Sequence, residues 1–470
     1  MFSFVFFGFP HVFLTGRLTA KSFRPNSRKT TIMQNTESKL FLYFICCISA
    51  MGGLLFGYDW VVIGGAKPFY EHFFHIYDAP IMQGLATSTA LVGCLVGAMV
   101  AGSLADKFGR KPLIITSAVL FTLSAVMTGA FNDFTMFNIA RFIGGVGIGV
   151  ASALSPMYIA EVSPANIRGR MVSLNQMTIV FGILAAQIAN MLIAQDTATT
   201  DQLVNIANGN WNNNMGWRWM FWAEAIPAGL FLVMSFMIPE SPVFLAMKRE
   251  SEDNCNNPKT QELTNSPSPL SDLFTSKYRK ILTLGLVIAV FQQWCGTNVI
   301  FNYAQEIFTS AGYDVNGMFI DIVITGIANV LFTFVALYTV EKWGRRTLML
   351  IGAGGLGIIY LILGTCYHLG MTGILMVALV VAAISCYAMT LGPITWVLLA
   401  EIFPNKVRGI AMAVCTFALW TGCCTLTFSF PSMNAAIGCS GSFWIYSIIC
   451  ICAFVFLFRN CPETKGKELS

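Results

Sequence analysis

The chain has 470 residues, of which 56% are hydrophobic and only 11% are charged, and its mean hydropathy is +0.66. This composition lies outside the range of soluble globular domains and indicates a membrane protein. The net charge of +5 mostly reflects cations in loops, so we expect no nucleic-acid partner. The 14 cysteines fall mainly within apolar segments and lack metal-finger spacing, which indicates packing residues and predicts neither a metal nor a cofactor.

Residues 1–37 precede the first membrane-length segment. Their opening stretch, MFSFVFFGFPHVFLTG, is apolar but too short to cross a bilayer, and a basic stretch follows it before the first acid, Glu37. Targeting presequences have this basic, acid-poor character, but Met33 is also a possible second start. We expect a disordered N-terminal extension over residues 1–37.

Twelve apolar runs follow, each near the roughly 20 residues that an α-helix needs to cross a bilayer. Their ranges are 40–66, 82–105, 112–131, 134–158, 171–194, 218–238, 281–308, 317–340, 347–368, 372–399, 410–432 and 441–459. Lys and Arg concentrate in alternate loops and in the tail, leaving Lys67 and Arg218 on the other side. The positive-inside rule predicts that both termini are cytoplasmic. We expect a multi-pass protein of the plasma or bacterial inner membrane.

Two loop patterns occur twice. GSLADKFGRKP, after the second run, returns as ALYTVEKWGRRTL after the eighth, and EVSPANIRGR returns as EIFPNKVRGI. The chain is therefore predicted to contain two six-helix bundles related by duplication, at 38–238 and 281–459. A polar cytoplasmic linker at 239–280, rich in Asn, Ser and Pro, joins them, and a tail follows at 460–470.

The repeated loops place acids and arginines at fixed spacing. Partly solvated ion pairs are worth only about 1 kcal/mol each, so such pairs could hold one arrangement of the two bundles and release in another. Ordinary cytoplasmic surface charge is the alternative explanation. The predicted cytoplasmic gate consists of Asp106, Arg110, Glu161, Arg168, Glu341, Arg345, Glu401 and Arg408.

A set of motifs resembles the sugar porter family of the major facilitator superfamily, with the bacterial xylose-proton symporters nearest in pattern. The motifs are GLLFGYDWVVIGGA, GSLADKFGRKP, RFIGGVGIGVASALSPMYIAEVSPANIRGR, PESP, FQQWCGTNVIFNYA, EKWGRRT, GPITWVLLAEIFPNKVRG and PETKG. The resemblance implies an all-α major facilitator fold with two pseudo-symmetric bundles. It also implies proton-coupled symport of a monosaccharide (xylose, glucose or similar) by alternating access, in a protein that functions as a monomer.

Asp59 is the one ionised residue of the first run. A charge at the centre of a bilayer costs about 2.5–3.5 kcal/mol on insertion scales, so it is normally paired or functional. Its expected partner is Arg141, which opens the glycine-rich stretch RFIGGVGIGV. We expect Asp59 to carry the proton, and the resemblance adds Glu224 to the coupling network. A pair that only fixes helix packing is the alternative.

The second half offers neutral amides instead. In the repeat, Asn298 matches Asp59 and Val381 matches Arg141. Carboxamides donate and accept like sugar hydroxyls without the desolvation cost of a charge. The resemblance implies a sugar site of Phe56, Gln176, Gln292, Gln293, Asn298, Asn329, Gly392, Trp396 and Trp420. Helix–helix hydrogen bonds or simple packing remain open for Gln176, Asn329 and Trp396.

Departures from the family pattern leave the sugar itself open. Asn302 and Leu419 stand where xylose symporters have a tyrosine and an amide, and Val243 replaces the arginine of PESPRWL. The last change and a short central loop predict altered inward gating. A facilitative uniporter and a non-transporting sugar sensor remain alternatives, although facilitative carriers tend to have Asn at the Asp59 position and sensors generally have longer tails. A polytopic enzyme would need clustered catalytic groups, and among the four histidines only His72 and His75, in HFFH, are close in sequence. They fall in a predicted outer loop, where solvation is a simpler explanation than a metal site.

Overall fold

The computed structural model describes residues 27–164, 167–195, 211–255, 275–310, 312, 315–404 and 407–464. These residues form α-helices, with one short π-helical turn at Asn212–Gly216. The first seven are α1 (Ser27–Phe73), α2 (Pro80–Phe108), α3 (Arg110–Ala130), α4 (Phe134–Val162), α5 (Arg168–Ile193), α6 (Trp217–Ser235) and α7 (Pro242–Cys255).

The second half begins after the linker. Its helices are α8 (Ser276–Trp294), α9 (Thr297–Asn302), α10 (Ala304–Ser310), α11 (Val315–Trp343), α12 (Arg345–His368), α13 (Ile374–Met389), α14 (Leu391–Ile402) and α15 (Arg408–Asn460). Part of the predicted linker is helical as α7, and the rest lies largely outside the described residues.

The chain divides into two compact units, one ending at Tyr43 and the other beginning at Phe44. Of the first unit, the structure describes the start of α1 from Ser27. Residues 1–26 of the predicted disordered extension lie outside the described residues, so disorder there stays a prediction. The second unit contains all the other described helices, and the packing and sites below belong to it.

Helix α1 extends beyond the predicted end of the first span at residue 66 and reaches Phe73. The sequence places Lys67 in an outer loop because the apolar run ends there. In the structure Lys67 is buried, with Glu71 one helical turn further along α1. Because these two charges compensate each other at i and i+4, the helix continues through them.

The helices pack as two bundles. In the first, α4 packs against α2 and α3, and α3 against α6. In the second, α12 packs against α13, α14 and α15, and α11 against α13. The bundles meet where α2 contacts α15 and where α5 contacts α11. In the repeat, α2 corresponds to α11, and α5 corresponds to the first part of α15, so the two junctions are equivalent.

Two predicted spans are interrupted. In the seventh span, α8 ends at Trp294 and α9 begins at Thr297, and Gly296 between them adopts φ +88°. This left-handed conformation favours glycine, which has no Cβ. The tenth breaks at Thr390, between α13 and α14. Both breaks are invisible in the apolar pattern, and helices broken at membrane depth are typical of transporter binding sites.

The predicted eleventh and twelfth spans join directly in α15. At Gly438 the backbone leaves the helical region, with φ 69° and ψ 177°. The indole Nε1 of Trp294 donates to the Gly422 carbonyl at 2.9 Å, and Cys450 Sγ lies 3.8 Å from the Cys295 carbonyl. A straight helix would separate positions 422 and 450 by about 40 Å at about 1.5 Å per residue. The chain therefore reverses direction at Gly438 and crosses twice.

Ten helices of the described residues are long and apolar enough to cross a membrane. They account for eleven of the twelve predicted spans, because α15 contains two. The sixth span, α6, falls outside the ten, since Arg218 and Glu224 lower its hydropathy. All twelve predicted spans are therefore present as helices.

Candidate functional site

Asp59 on α1 and Arg141 on α4 form a buried ion pair. Each residue is 2% exposed. The Arg141 Nη1 donates to Asp59 Oδ1, and its Nη2 donates to the Asp59 carbonyl oxygen at 3.4 Å. The site that a Cβ of Gly144 would occupy is 3.8 Å from Asp59 Oδ2, so a small residue one turn after Arg141 leaves room for the carboxylate. The structure thus brings together the two residues that the sequence pairs.

A second buried acid completes this cluster. Glu224 on α6 is 2% exposed and lies close enough to interact electrostatically with both Asp59 and Arg141. The Arg141 guanidinium also lies 5.3 Å from the centre of the Phe221 ring. Among the described residues, Asp59 Oδ2 and Arg141 Nε have no hydrogen-bond partner. One cation therefore faces two acids, and these two polar atoms can still form hydrogen bonds.

Neutral amides form a chain in the second half. Gln292 Nε2 donates to the Tyr387 hydroxyl at 2.6 Å, Gln293 Nε2 donates to Gln292 Oε1 at 2.5 Å, and Asn298 Nδ2 donates to Gln293 Oε1. In an unbroken helix, residues five apart point about 140° away from each other. The break at Gly296 is what lets Asn298 turn back onto Gln293. Tyr387 is a member of this chain that the sequence does not reveal.

Three aromatic rings, two from α1 and one from α15, form a cluster. The ring centroids of Phe56, Trp60 and Trp420 are 5.7–5.9 Å apart in every pairing. Phe56 and Trp420 are predicted ligand residues, whereas Trp60 is not. Its position one turn after Phe56, next to Asp59, is the signal that could have found it.

The other predicted ligand residues lie at varied depths. Gly392 approaches the site, because Tyr387 Cε1 lies 3.3 Å from the position that a Cβ of Gly392 would occupy. Asn329 is buried on α11, and Gln176 is half-buried on α5. Trp396 on α14 is 36% exposed. In the described part of the chain, neither Asn329 nor Gln176 hydrogen-bonds to the amide chain.

A small cavity lies beside the pair formed by Asp59 and Arg141. Asp59 and Arg141 form one wall, and Trp60 and Thr87 contribute from the first half. Asn302, at the end of α9, lines it from the second half. Side chains of both bundles therefore face one space beside the carboxylate.

The predicted cytoplasmic gate contains two equivalent forked ion pairs. Arg110 Nε and Nη2 donate to Glu161 at 3.1 and 3.0 Å, and Arg345 donates to Glu401 at 3.2 and 3.0 Å. Asp106, with a side chain that is 71% exposed, lies 3.4 Å from Arg110. Each forked pair joins helices of the same bundle.

The remaining gate residues make a smaller contribution. Arg168 is exposed, and the side chains of Glu341 and Arg408 lie outside the described residues. A latch that bridges the two bundles therefore stays a prediction, and the described pairs instead fix helix ends within each half.

Each forked pair is supported by a further acid that the gate prediction omits. Glu240 accepts hydrogen bonds from the backbone N–H groups of Arg110 and Lys111 at the start of α3. Glu463 does the same for Arg345 and Arg346 at the start of α12. Carboxylates favour helix N-termini because of the helix dipole. PESP and PETKG, which contain these acids, are the sequence signal.

At the opposite end of the molecule the two bundles touch closely. The Cβ position of Gly64 would lie 2.5 Å from the Phe301 carbonyl, and that of Gly84 would lie 2.4 Å from the Phe428 carbonyl. Phe69 stacks on Phe319 with centroids 6.4 Å apart. These contacts follow the end of α1 and the start of α2. The structure is therefore closed at this end, far from the forked arginine pairs.

Two helical bundles, broken helices and a buried acid–guanidinium cluster define a secondary transporter of the major facilitator fold. A family model described as "Sugar (and other) transporter" matches residues 45–470, and the chain belongs to this family. It is 35% identical to the arabinose-proton symporter of Bacillus subtilis over 451 residues, covering 92% of this chain and 95% of that protein.

Other relatives agree with this membership. The chain is 34% identical to the D-xylose-proton symporter of Escherichia coli K12, over 93% of this chain and 96% of that protein. The solved inward open conformation of the xylose transporter XylE from E. coli matches with a TM-score of 0.77 at 34% identity, covering 91% of this chain and 98% of that one. The family consists of transporters, so the chain is not an enzyme.

Proposed function

We propose that this protein is a proton-coupled monosaccharide symporter that works by alternating access. The observation that carries the proposal is the buried pair of Asp59 and Arg141, set beside a cavity that both bundles line. Relatives named as arabinose-proton and xylose-proton symporters support it. We further propose that it works as a monomer in the cell membrane, with both termini cytoplasmic as the positive-inside rule predicts.

The proton chemistry follows from a charge count. Arg141 supplies one positive charge, whereas Asp59 and Glu224 supply two acids in a water-poor environment. A single proton on either acid makes the buried cluster neutral, and isolated buried charge is costly. Protonation of Asp59 weakens its pairing with Arg141, so proton binding and the fit of α1 against α4 depend on each other.

The sugar chemistry belongs mainly to the second half. The amides of Asn298, Gln293 and Gln292 hydrogen-bond to one another in a chain that ends at the Tyr387 hydroxyl. A sugar hydroxyl both donates and accepts, so it can replace any of these links without leaving an amide unpaired. The aromatic cluster covers the apolar face of a pyranose ring.

Neutral sugars fit this site better than sugar phosphates or sugar acids. The amides carry no charge, and the nearby guanidinium of Arg141 already pairs with Asp59. Asn302 lines the cavity beside Asp59, and its neutral carboxamide can both donate to and accept from a sugar hydroxyl. We propose a neutral pentose or hexose as the substrate.

A facilitative uniporter is the second candidate. Facilitative carriers of the family tend to have a neutral residue where this chain has Asp59, so the buried carboxylate favours symport. Uptake into reconstituted vesicles, with and without an imposed inward proton gradient, separates the two. We expect the gradient to drive one of arabinose, xylose, galactose or glucose above its external concentration. Uptake that only reaches equilibrium would support the uniporter, and sugar binding without flux would support a sensor.

Replacement of Trp60 by alanine tests the aromatic cluster. An aromatic contact is worth about 0.5–1.5 kcal/mol, so we expect the KM for sugar to rise about three- to tenfold with little change in kcat. Trp219→Ala, which removes an exposed tryptophan of α6, is the matched control. An unchanged KM in Trp60→Ala would mean that this ring only packs.

Glu240 and Glu463, the acids that bind the N-termini of α3 and α12, should contribute equally to stability. Glu240→Gln and Glu463→Gln each remove a charged acceptor from the start of a helix, so each should lower the midpoint of thermal unfolding in detergent. Asp106→Asn, at a mostly exposed side chain, should leave the midpoint unchanged. A loss of stability in only one of the two glutamine variants would contradict the equivalence of the two halves.

A further inference from the structure

Three charged side chains cluster at the closed end of the molecule. Lys67 on α1 is 1% exposed and lies 2.8 Å from Glu71 Oε1. Its Nζ also donates to Glu306 Oε1 on α10. The same ammonium lies 5.0 Å from the centre of the Tyr303 ring. We call Lys67, Glu71 and Glu306 the outer cluster.

The outer cluster joins the two bundles. Lys67 and Glu71 belong to the first half, and Glu306 belongs to the second. Lys67 and Glu306 are 239 residues apart, the same spacing that relates Asp59 to Asn298 in the repeat. A position that touches its own counterpart lies on the pseudo-two-fold axis. Opposite charges therefore meet where the bundles face each other most directly.

A network of hydroxyl groups surrounds this contact. The Tyr303 hydroxyl lies 2.7 Å from Thr87 Oγ1 of the first half and donates to the Thr427 carbonyl at 2.6 Å. Of these contacts, the one between Thr87 and Tyr303 joins the two bundles, so their separation at this end must break it together with the bond from Lys67 to Glu306. The outer cluster is thus part of what holds this end closed.

The charges of the cluster do not balance. One ammonium faces two carboxyl groups, and Glu306 Oε2 has no hydrogen-bond partner among the described residues. Within the part of the chain that the structure describes, the other ionisable groups that act electrostatically on the cluster are Tyr70 and Tyr303. Tyr70 is also within reach of Arg141 on α4, and Tyr303 is within reach of Tyr446. Arg141 already pairs with Asp59, so it leaves the excess acid of the cluster uncompensated. One proton would make the closed cluster neutral.

We propose that the outer cluster is a second proton-binding site, separate from Asp59, that closes the outer end when one of its two acids is protonated. When the bundles part, water reaches both carboxylates, both ionise, and the proton leaves to the outside. Low external pH thus favours closure and high external pH favours opening. The proposal rests on alternating access but not on Asp59 as the proton carrier.

A reporter one turn below the cluster can measure opening. Ile63 is 2% exposed, so a cysteine at that position, in Ile63→Cys, is shielded from outside while this end is closed. Intact cells expressing the protein are treated with a membrane-impermeant maleimide, and mass spectrometry quantifies modification at position 63, apart from the native cysteines. Asp78→Cys, at an exposed position, corrects for the pH dependence of the thiol reaction.

Loss of the shared cation should open the outer end. Lys67→Met leaves two buried acids without a counter-ion, and the loss of one member of a buried pair is strongly destabilising. We expect labelling at position 63 to rise about tenfold or more. The exchange of charges in Lys67→Glu with Glu306→Lys should restore slow labelling, since the two positions are equivalent across the axis. Lys107→Met, at an exposed lysine of the opposite end, is the control.

The pH dependence identifies the proton. In the otherwise unaltered protein, corrected labelling should rise severalfold as the external pH is raised, because two carboxyl groups that share a site hold one proton more tightly than either would alone. Glu71→Gln keeps the shape of the side chain but removes the excess acid, so its labelling should not depend on pH. Asp321→Asn, which neutralises a buried acid elsewhere, should retain the pH dependence.

A variant at Asp59 separates a proton bound at the outer cluster from the proton that is coupled to sugar. The pH dependence of labelling should persist in Asp59→Asn. Its disappearance there would assign the response to Asp59 and overturn the second site, without affecting the proposed symport. Labelling that is independent of pH in the starting protein, or unchanged by Lys67→Met, would overturn the proposal outright.

Discussion

Asp59→Asn is expected to abolish sugar accumulation driven by a proton gradient while sugar exchange continues. Asparagine preserves the size of the side chain and can still accept a hydrogen bond from Arg141, but it cannot carry a proton. Glu224 stays nearby as a counter-charge for the guanidinium, so the fold should survive. The measurement is uptake of labelled sugar into reconstituted vesicles with an inward proton gradient, together with exchange across vesicles that contain the same sugar on both sides.

Two comparisons make this experiment specific. Asp321→Asn neutralises another buried acid and should accumulate sugar normally. The double variant Asp59→Asn with Glu224→Gln leaves Arg141 buried without an acid, so it should be far less stable. Accumulation that is undiminished in Asp59→Asn would show that this carboxylate is not the coupling site.

Gln293→Leu is expected to produce the second largest effect, on sugar affinity. Gln293 lies in the middle of the amide chain, donating to Gln292 and accepting from Asn298. Its loss leaves two buried polar groups unpaired and removes one sugar partner, each worth about 1 kcal/mol. We therefore expect the KM to rise about 10- to 100-fold, at about 1.4 kcal/mol for each tenfold change.

A buried amide of the first bundle provides the control for this variant. Asn138→Leu removes an amide that bonds to Thr89 and to the Phe134 carbonyl, far from the amide chain in sequence and in the other bundle. Its KM should remain near that of the starting protein. An equal rise in both variants would indicate general loss of structure rather than loss of a sugar contact.

Much of the fold could be predicted because lipid imposes simple rules on sequence. Apolar run length identified twelve spans, and the repeated loop motifs identified two halves. The cost of a charge in the membrane led directly from Asp59 to Arg141. The interruptions at Gly296 and Thr390 were not predicted, because apolarity continues through them and only the backbone conformation changes.

Contacts between distant helices account for the rest of what the sequence could not reveal. Tyr387 completes the amide chain and Trp60 completes the aromatic cluster only after the helices pack. The end of the apolar run placed Lys67 in a loop, since the hydropathy pattern carries no information about the compensating Glu306 in the other half. The sequence identified the acids and arginines of the gate and predicted that they hold the two bundles together, whereas each described pair joins helices of the same bundle.

Direct measurement of sugar-induced proton movement tests the central claim. Vesicles that contain the purified protein are suspended in weakly buffered medium without a proton gradient, and the pH of the medium is recorded when a transported sugar is added outside. We expect the medium to become more alkaline as protons enter with the sugar, and we expect no change with Asp59→Asn. Sugar entry without any alkalinisation would contradict the account, because the buried acid would then have no part in transport.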